Sequence, residues 1–382
     1  MNTSSGAPLR LVLVAGARPN FMKIAPIVRA LRAENAYFDW RLVHTGQHYD
    51  HGMSEVFFEE LGIPTPDHHL GAGGGSHAEQ TARIMLGFEQ FCREFAPDMV
   101  LVVGDVDSTL ACSIVAKKLQ IEVAHVEAGL RSRDRRMPEE INRLVTDAIS
   151  DLFFVTEPSG LANLRQEGHA ETALHFVGHV MIDNLFHQLE RLGTLPTAHY
   201  ATATLKARLK KYGVVTLHRP SNVDHAETLR GIMTGLEAVA RELPLIFPVH
   251  PRTRANLARF GIATPPGIEL TEPLPYMEFL NLWKDAALIL TDSGGLQEES
   301  TALGIPCLTV RENTERPVTV EEGTNVLVGA SPERILAAAR ASLQADGPMS
   351  PPRRPALWDG AAAERIIEVL KQHARRARVN PS

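Results

Sequence analysis

The sequence has no marked excess of charge of either sign. Its 382 residues carry 39 Lys and Arg against 45 Asp and Glu, which gives a formal net charge of −6 at pH 7. A surface that binds nucleic acid or an anionic membrane needs a basic excess, so the composition argues against both. We therefore expect no nucleic-acid partner, and we expect any basic cluster to be a local pocket.

Cysteine is scarce, with Cys92, Cys112 and Cys307 widely spaced and no Cys-x-x-Cys pair. An odd number of cysteines among apolar neighbours predicts three reduced, buried thiols in a cytoplasmic protein. The absence of a Cys-x-x-Cys pair argues against a structural zinc site or a redox site.

Long apolar runs are also absent. The apolar run near the N-terminus ends at Arg18-Pro19, is too short to span a bilayer and lacks the layout of a signal peptide. We therefore expect no membrane insertion and a cytoplasmic location. With 44% hydrophobic and 22% charged residues, the composition is that of a globular protein, and the length favours two domains.

Short apolar runs alternate with stretches of helical period, in two separate series. Strands buried on both faces, as in parallel sheets, are predicted at residues 11–15, 99–103, 123–126, 152–156, 214–217, 245–249, 286–291 and 307–310. Helices are predicted around residues 21–31, 227–242 and 361–376, with the join between the series at residues 181–209 and a proline-rich loop at 347–355. The two series predict an α/β fold with two doubly wound domains.

Two patterns resemble cofactor sites only superficially. The segment from Gly71 to Ser76 is glycine-rich, but its last position is Ser and no strand precedes it, so it predicts a surface or lid loop rather than an NAD site. The stretch with His44, His48 and His51 lacks regular zinc spacing and predicts a loop near the site.

Ligands of open α/β sheets bind beyond the carboxyl ends of the strands, so residues just after each predicted strand are the candidates. In the first series, Arg18 and Lys23 flank the start of a helix, a position suited to phosphate. Asp105 and Glu127 each follow a strand, where no helix dipole explains a carboxylate, and Glu139 lies in the first turn of the next helix. Paired carboxylates are suited to acid/base chemistry at a carbon atom.

The second series offers His218 after its first strand and a Ser293-Gly294-Gly295 turn after residues 286–291. A strand that breaks at such a turn and leads into a helix presents backbone N–H groups, so the turn predicts a diphosphate cradle. Glu299 lies about one turn further on, where a carboxylate can bind both hydroxyls of a ribose.

Eight segments that include these residues carry a resemblance to a known family. They read GARPNFMKIAP, HTGQHYD, GDVDSTLA, HVEAGLRS, MPEEINR, LHRPSNVD, TDSGGLQEES and ENTERPV. In this order they closely resemble the UDP-N-acetylglucosamine 2-epimerase family, in its bacterial non-hydrolysing branch, over residues 11–328.

The resemblance implies a glycosyltransferase B fold, in which two Rossmann-like domains face each other across a cleft and the C-terminal helix returns to the N-terminal domain. It places an N-terminal domain at residues 1–184 plus 361–382 and a UDP-binding domain at residues 185–360. It also implies a UDP-sugar substrate, a homodimer, and neither cofactor nor metal.

The implied reaction is the reversible conversion of UDP-N-acetylglucosamine (UDP-GlcNAc) into UDP-N-acetylmannosamine (UDP-ManNAc), through loss of UDP to a 2-acetamidoglucal and its re-addition. By resemblance, Asp105, Glu127 and Glu139 are the acid/base carboxylates, and His218 lies beside the departing diphosphate.

The remaining implied roles concern the nucleotide. Arg18 would bind phosphate with Lys23 in support, Ser293, Gly294 and Gly295 would hold the diphosphate, Glu299 would bind the ribose, Phe279 would lie near the uracil, and Arg316 would face the cleft.

Several alternatives stay open. The segment around HTGQHYD also resembles epimerases of UDP-2,3-diacetamido uronic acids, and residues 71–80 depart from members activated by their own substrate, although Gln47 and His48 are present. The other hypotheses for the function are a hydrolysing epimerase, a UDP-sugar glycosyltransferase and a non-catalytic UDP-sugar sensor. A sensor would be expected to lack Asp105, Glu127 or His218, and a glycosyltransferase needs an acceptor groove and one base.

Overall fold

A computed structural model describes residues 7–34, 36–47, 55–194, 196, 200–344 and 354–379 of the chain. The chain divides into two compact units, Met1–Asn184 with Ala356–Ser382, and Leu185–Pro355. Each unit is built around one parallel β-sheet with helices.

The first unit contains a seven-stranded sheet in the order β3-β2-β1-β4-β5-β6-β7. Its strands are β1 (Leu9–Ala15), β2 (Phe38–His44), β3 (His68–His69), β4 (Met99–Val103), β5 (Glu122–Val126), β6 (Leu152–Val155) and β7 (Leu174–Phe176). Every pairing is parallel, and Leu11 of β1 lies opposite Met99 of β4. The strand order reverses between β1 and β4, which is where doubly wound sheets bind their ligands.

Helices connect these strands. They are α1 (Arg18–Arg32), α2 (Glu55–Leu61), α3 (His77–Phe95), α4 (Asp107–Lys118), α5 (Pro138–Ile149), α6 (Pro158–Gln166) and α7 (Val180–Thr194), with a 3₁₀ turn at Glu171–Ala173. The boundary between the two units falls within α7.

The second unit repeats the design with a six-stranded parallel sheet in the order β10-β9-β8-β11-β12-β13. Its strands are β8 (Gly213–Thr216), β9 (Leu245–Pro248), β10 (Ile268–Thr271), β11 (Leu288–Thr291), β12 (Cys307–Thr309) and β13 (Asn325–Leu327). Its helices are α8 (Thr202–Leu209), α9 (Pro220–Val223), α10 (Ala226–Ala240), α11 (Pro251–Arg259), α12 (Tyr276–Trp283), α13 (Gly294–Leu303), α14 (Val318–Glu321) and α15 (Pro332–Gln344). Its strand order reverses between β8 and β11.

The last helix, α16 (Ala362–Val379), belongs to the first unit. Ile366 and Leu370 are fully buried in the same cluster as Ile24 and Ile27 of α1. Asp183 caps the start of α16 by accepting the N–H groups of Ala362 (3.2 Å) and Ala363 (2.7 Å). The return of the C-terminal helix to the first unit is therefore confirmed.

The predicted α/β class with two doubly wound sheets is also confirmed, and the eight predicted strands are present with ends shifted by at most two residues. Sequence patterns did not reveal β2, a seven-residue interior strand in which Asp39, Trp40 and Arg41 are partly exposed. They also did not reveal β3, β7, β10 and β13, because these are short and partly exposed; both residues of β3 are exposed histidines. Most of the predicted loop at residues 347–355 lies outside the described residues.

The three cysteines are buried, free thiols, as predicted. Burial raises the pKa of Cys92 and of Cys307 to about 12. The glycine-rich segment 71–76 is a loop before α3, and Ser76 caps that helix by accepting the N–H of Glu79. Within the described part of the chain, no helix combines the length and apolarity needed to cross a membrane.

Candidate active site

The start of α1 is anchored to the end of β4 by one side chain. Asn20 accepts the backbone N–H groups of Ala17 (3.0 Å) and Gly16 (3.3 Å) and donates its amide to the carbonyl of Val103 (3.1 Å). Ala17 is the N-cap and has no polar side chain, so Asn20 at the third helical position forms only the reciprocal half of a capping box, by binding the backbone N–H of the N-cap residue. Arg18, the first residue of the helix, is exposed at this anchored end.

Lys23, one turn into α1, reaches the carboxylate that follows β5. Its Nζ atom lies 2.6 Å from Oε2 of Glu127, and the two side chains are 16% and 3% exposed. Gly104 passes beside this pair with φ +66°, and a Cβ atom there would come within 3.0 Å of the Lys23 Nζ. Two of the predicted site residues are thus brought together, and a close backbone approach explains the glycine.

Asp105 follows β4 and is held by a buried arginine of α5. Arg143 donates from Nη1 to Oδ2 of Asp105 (2.5 Å) and also binds Glu140 (2.8 Å). Burial tends to raise the pKa of Glu140, but the N–H groups of Ser132 and Arg133 together with Arg143 outweigh it and hold the pKa below its usual value. Glu139, the predicted candidate, is exposed, whereas its neighbour Glu140 is buried in this structural network.

A buried histidine and aspartate support the same edge of the sheet, and the sequence analysis missed both. Nδ1 of His125 lies 2.6 Å from Asp147, and its Nε2 lies 2.8 Å from the carbonyl of Gly104, directly before Asp105. Asp147 also contacts Arg131 and accepts the N–H of Gly129. Burial by itself would raise the pKa of Asp147, but His125 and Arg131 together outweigh it, so the pKa lies below its usual value.

In the second unit, Asp292 organises the residues that follow β8. It is fully buried, accepts the backbone N–H groups of His218 (3.1 Å) and Arg219 (3.0 Å), and lies 2.9 Å from Nδ1 of His218. Asn222 donates a further hydrogen bond to it (3.1 Å). Burial by itself would raise the pKa of Asp292, but His218 and these N–H donors have the larger combined effect, so the pKa lies below its usual value. The half-exposed His218 is therefore oriented by a carboxylate that the sequence analysis did not select.

The predicted Ser-Gly-Gly turn is the start of α13. Ser293 is the N-cap, and Gly294 and Gly295 form the first turn, where helical N–H groups lack intrahelical partners. Apart from the adjacent residues and the backbone of α13 itself, no heavy atom of the described residues lies within 4 Å of the position that a Cβ would take at either glycine. Packing within the described chain therefore does not require glycine here, and the lack of side chains leaves the backbone N–H groups open to close approach by an anion.

Glu299 lies on α13 and accepts a hydrogen bond from the Tyr276 hydroxyl (3.1 Å). It is 5% exposed, and burial raises its pKa to about 8, against the opposing effect of Tyr276. Phe279 lies on the same helix as Tyr276 and is partly exposed. Arg316 is 6% exposed and forms an ion pair with Glu298.

The described residues contain no group of three or more His, Cys, Asp or Glu side chains placed to hold a metal ion. His44 ends β2, and burial, with His69 adding to it, lowers its pKa to about 4. His48 and His51 of the same stretch lie outside the described residues.

Comparison with known proteins gives a consistent result. A family profile described as UDP-N-acetylglucosamine 2-epimerase matches residues 29–371. The chain is 40% identical over 370 residues to the UDP-N-acetylglucosamine 2-epimerase of Methanocaldococcus jannaschii, covering 95% of this chain and 99% of that one. It is 38% identical over 370 residues, with the same coverage, to the UDP-2,3-diacetamido-2,3-dideoxy-D-glucuronate 2-epimerase of Pseudomonas aeruginosa.

A solved structure shares the fold. The M. jannaschii enzyme in complex with UDP-GlcNAc and UDP matches with a TM-score of 0.83 at 40% identity, over 95% of this chain and all of that one. Two doubly wound parallel sheets, matched over 95% of the chain by a solved sugar-nucleotide 2-epimerase, define an enzyme of the α/β class with two such sheets. The chain belongs to the UDP-N-acetylglucosamine 2-epimerase family.

Proposed function

We propose that this protein is a non-hydrolysing 2-epimerase that interconverts UDP-GlcNAc and UDP-ManNAc. One observation carries the proposal beyond family membership: two carboxylates leave the same edge of the sheet from adjacent strands. Val103 and Val126 are register partners in β4 and β5, and Asp105 and Glu127 follow them. Each carboxylate has its own cation, Arg143 for Asp105 and Lys23 for Glu127.

In the proposed reaction, one carboxylate removes the C2 proton as UDP leaves C1, which gives a 2-acetamidoglucal. A second acid then protonates C2 on the opposite face, and UDP adds back to C1. Two groups are needed because proton transfer requires about 2.6–3.2 Å between heavy atoms or one bridging water, which a single base does not achieve on both faces. Asp105, Glu127 and Glu139 are the proposed acid/base groups.

The second unit supplies the proposed nucleotide-binding groups. The first turn of α13, with Ser293, Gly294 and Gly295, would hold the diphosphate. Its backbone N–H groups have no acceptor within the helix and point beyond its N-terminal end. His218 would stabilise the departing diphosphate, with Asp292 fixing the ring orientation.

The other proposed nucleotide contacts are more local. Glu299 would bind the ribose, with Tyr276 orienting it, and Phe279 would lie near the uracil. Arg18 would bind phosphate from the anchored end of α1 in the first unit. Arg316 would be a further residue of the nucleotide site, and its ion pair with Glu298 would hold the guanidinium in place.

A second substrate is supported by a specific finding. The P. aeruginosa relative, 38% identical, acts by name on a UDP-2,3-diacetamido uronate. The reaction at C2 would be the same, and only the substituents at C3 and C6 of the sugar would differ. Either product would supply a mannosamine-type sugar for cell-surface polysaccharide. The enzyme itself would act in the cytoplasm, where buried free thiols stay reduced.

We also propose that the protein is a homodimer. Leu86 on α3 is 70% exposed, and Ile141 and Val145 on α5 are 41% and 37% exposed. Both helices pack against α4, so these side chains belong to one layer of the first unit. Light scattering at micromolar concentration should give about twice the mass of one chain, and Leu86→Glu should shift it toward the monomer.

The test of the function is incubation with UDP-GlcNAc in D₂O, followed by proton NMR. We expect UDP-ManNAc with deuterium at C2 and gradual labelling of the remaining substrate. Asp105→Asn and Glu127→Gln should each lower turnover by about 10² or more. Release of free ManNAc would identify a hydrolysing enzyme, and a parallel reaction with the diacetamido uronate would decide between the substrates. No change in either sugar would refute the proposal.

A further inference from the structure

Two of the proposed acid/base carboxylates share one buried support, the pair formed by His125 and Asp147. Both side chains are fully buried. His125 lies on β5, two residues before Glu127, and Asp147 lies on α5. Nδ1 of His125 lies 2.6 Å from Oδ1 of Asp147, and its Nε2 lies 2.8 Å from the carbonyl oxygen of Gly104. The pair is therefore connected directly to the residue that precedes Asp105.

Both ring nitrogens of His125 face oxygen atoms that only accept hydrogen bonds. A backbone carbonyl carries no proton, and the carboxyl of Asp147 is ionised because its pKa lies below its usual value. The other oxygen of Asp147, Oδ2, binds Arg131 (2.7 Å) and the N–H of Gly129 (3.0 Å). The imidazole thus forms both of its hydrogen bonds only when each nitrogen carries a proton. Pairing with Asp147 offsets the cost of burying a charged ring.

Gly104 is held from both of its backbone groups by one strand. Its N–H donates to the carbonyl of Val126 (3.0 Å), and its carbonyl accepts from His125, the preceding residue of β5. Its φ of +66° turns the chain out of β4 at this point. The peptide that leads into Asp105 therefore has a fixed orientation, and with it the direction in which the Asp105 side chain leaves the strand.

Asp147 also holds the chain on both sides of Glu127. Its Oδ1 binds His125, two residues before Glu127, and its Oδ2 accepts the N–H of Gly129, two residues after it. Glu127 has a φ of +69°, a conformation that a residue with a side chain keeps only where the surrounding structure holds it. One buried pair thus fixes the backbone next to each of the two carboxylates.

We propose that His125, donating from both ring nitrogens, is a positioning residue that sets Asp105 relative to Glu127 for proton transfer on the two faces of C2. This role rests on the proposed function, since only a reaction with two acid/base groups needs that arrangement. Being fully buried, His125 contacts neither the sugar nor UDP. Because proton transfer requires about 2.6–3.2 Å between heavy atoms, a small displacement of one carboxylate slows the chemical step. Loss of His125 should lower kcat and leave the binding of UDP unchanged.

Two amide substitutions each keep one of the two hydrogen bonds. The amide nitrogen of Gln can take the position of Nε2 and still donate to Gly104, whereas that of Asn takes the position of Nδ1 and reaches only Asp147. His125→Asn should lower kcat for UDP-GlcNAc by about 10²-fold, and His125→Gln should lower it by no more than about tenfold. In both variants, KM and the dissociation constant of UDP measured by calorimetry should equal the wild-type values.

Proton NMR at neutral pH supplies a second readout. The wild type should show two imidazole N–H signals downfield of the backbone amides, because burial protects both ring protons from exchange with water. Both signals should disappear in His125→Gln. Absence of a second ring N–H signal from the wild type would overturn donation from both nitrogens.

Ser113→Ala is the matched control, because Ser113 is fully buried in the first unit and its hydroxyl donates to the carbonyl of Thr109 (2.7 Å) within α4. This variant also loses one buried hydrogen bond, yet it should keep the wild-type kcat. Wild-type kcat in His125→Asn would overturn the proposed role, and so would equal losses of kcat in the Asn and Gln variants. A parallel weakening of UDP binding would also overturn it, since that indicates general damage to the fold.

Asp147→Asn tests the same support if the His125 variants do not fold. It keeps the size of the side chain but has one acceptor oxygen for the two groups, His125 and the N–H of Gly129, that Asp147 holds. Its kcat should fall by about tenfold or more with UDP affinity unchanged, and an unchanged kcat would overturn the role of the pair. Absence of epimerisation by the wild type would refute the proposed function instead, so the two failures are distinguishable.

Discussion

The Nζ atom of Lys23 lies 2.6 Å from Oε2 of Glu127 and joins the helix after β1 to the end of β5. The residues are 104 positions apart, and Glu127 has a φ of +69°, a backbone conformation that is unusual for a residue with a side chain. The nearly buried carboxylate depends on this cation, because a charge removed from water is costly unless it is paired.

Lys23→Met should therefore destabilise the protein as well as inactivate it. Loss of one partner of a buried ion pair costs about 3–5 kcal/mol, and the slight exposure of Lys23 places the expected loss at about 3 kcal/mol. Lys117→Met is the matched control, because Lys117 pairs with Asp151 at 2.8 Å but both side chains are about one-third exposed. That change should cost no more than about 1 kcal/mol in urea unfolding. Equal losses in the two variants would contradict the argument.

Gly295→Ala should separate stability from binding. The added methyl meets no described atom, and alanine is a better helix residue, so the free energy of unfolding should stay the same or rise by up to about 1 kcal/mol. UDP binding by calorimetry should weaken by about tenfold or more, because the methyl occupies the space beside the N–H groups. Gly304→Ala should lower the free energy of unfolding and leave UDP affinity unchanged, because Gly304 has φ +72° at the end of α13 and alanine is strained there. Unchanged UDP affinity in Gly295→Ala would remove the first turn of α13 from the nucleotide site.

Binding of UDP should be linked to Glu299 ionisation. With a pKa of about 8, this carboxyl is mostly protonated at pH 7 in the unliganded protein. Two ribose hydroxyls that donate to the carboxylate would favour its charged form, so binding should release a proton. Affinity should then rise with pH toward about 8, by at most tenfold per pH unit. Calorimetry in two buffers with different ionisation enthalpies measures the released proton.

Glu299→Gln serves as the reference for that measurement. Any proton released or taken up by UDP itself is the same for both proteins, whereas the variant has no carboxyl at position 299. The difference in proton release between the two proteins should reach several tenths of a proton at pH 7. A difference of zero would show that Glu299 does not contact the ribose as a carboxylate.

The cap of α16 should make stability depend on pH. Burial raises the pKa of Asp183 from 3.8 to about 6, even though the N–H groups of Ala363 and Ala362 oppose this. A carboxyl with a higher pKa in the folded state stabilises the fold when protonated, so its contribution is present below about pH 4 and is lost as pH rises through about 6. Asp183→Asn should remove this dependence.

Relative to that variant, the wild type should therefore lose about 2 kcal/mol of unfolding free energy between pH 4.5 and 7.5. Urea unfolding at the two pH values measures the difference. Parallel behaviour of wild type and Asp183→Asn would show that the carboxyl ionises alike in the folded and unfolded states.

The sequence located the site residues that obey a local rule. Asp105 follows a continuous apolar strand, and Glu127 follows a buried strand whose polar residues are only Glu122 and His125, so their position at the sheet edge could be predicted without coordinates. Asp292 follows β11 in the same way, and the same rule applied once more would have found it. The wider pattern of two doubly wound sheets was predictable for the same reason, since both series of buried strands are apolar.

The supporting residues obey no local rule. Asp147 lies inside the amphipathic helix α5, where a charged residue reads as solvent-exposed, and only the fold places it against His125, 22 positions away. His77 and Asp107 are 30 positions apart and come together because α3 packs on α4. Which of Glu139 and Glu140 is exposed also depended on where Arg143 points. Such pairings are set by packing, and a sequence pattern does not contain them.

The return of α16 to the first unit affects the order in which the chain can fold on the ribosome. The second unit is one continuous segment, so all of its residues are available once residue 355 has emerged. The first unit starts earlier but still lacks Ile366 and Leu370, which complete the cluster around Ile24 and Ile27. The domain that is synthesised first is thus completed last, and during translation its nascent core has an apolar face that only the final helix covers.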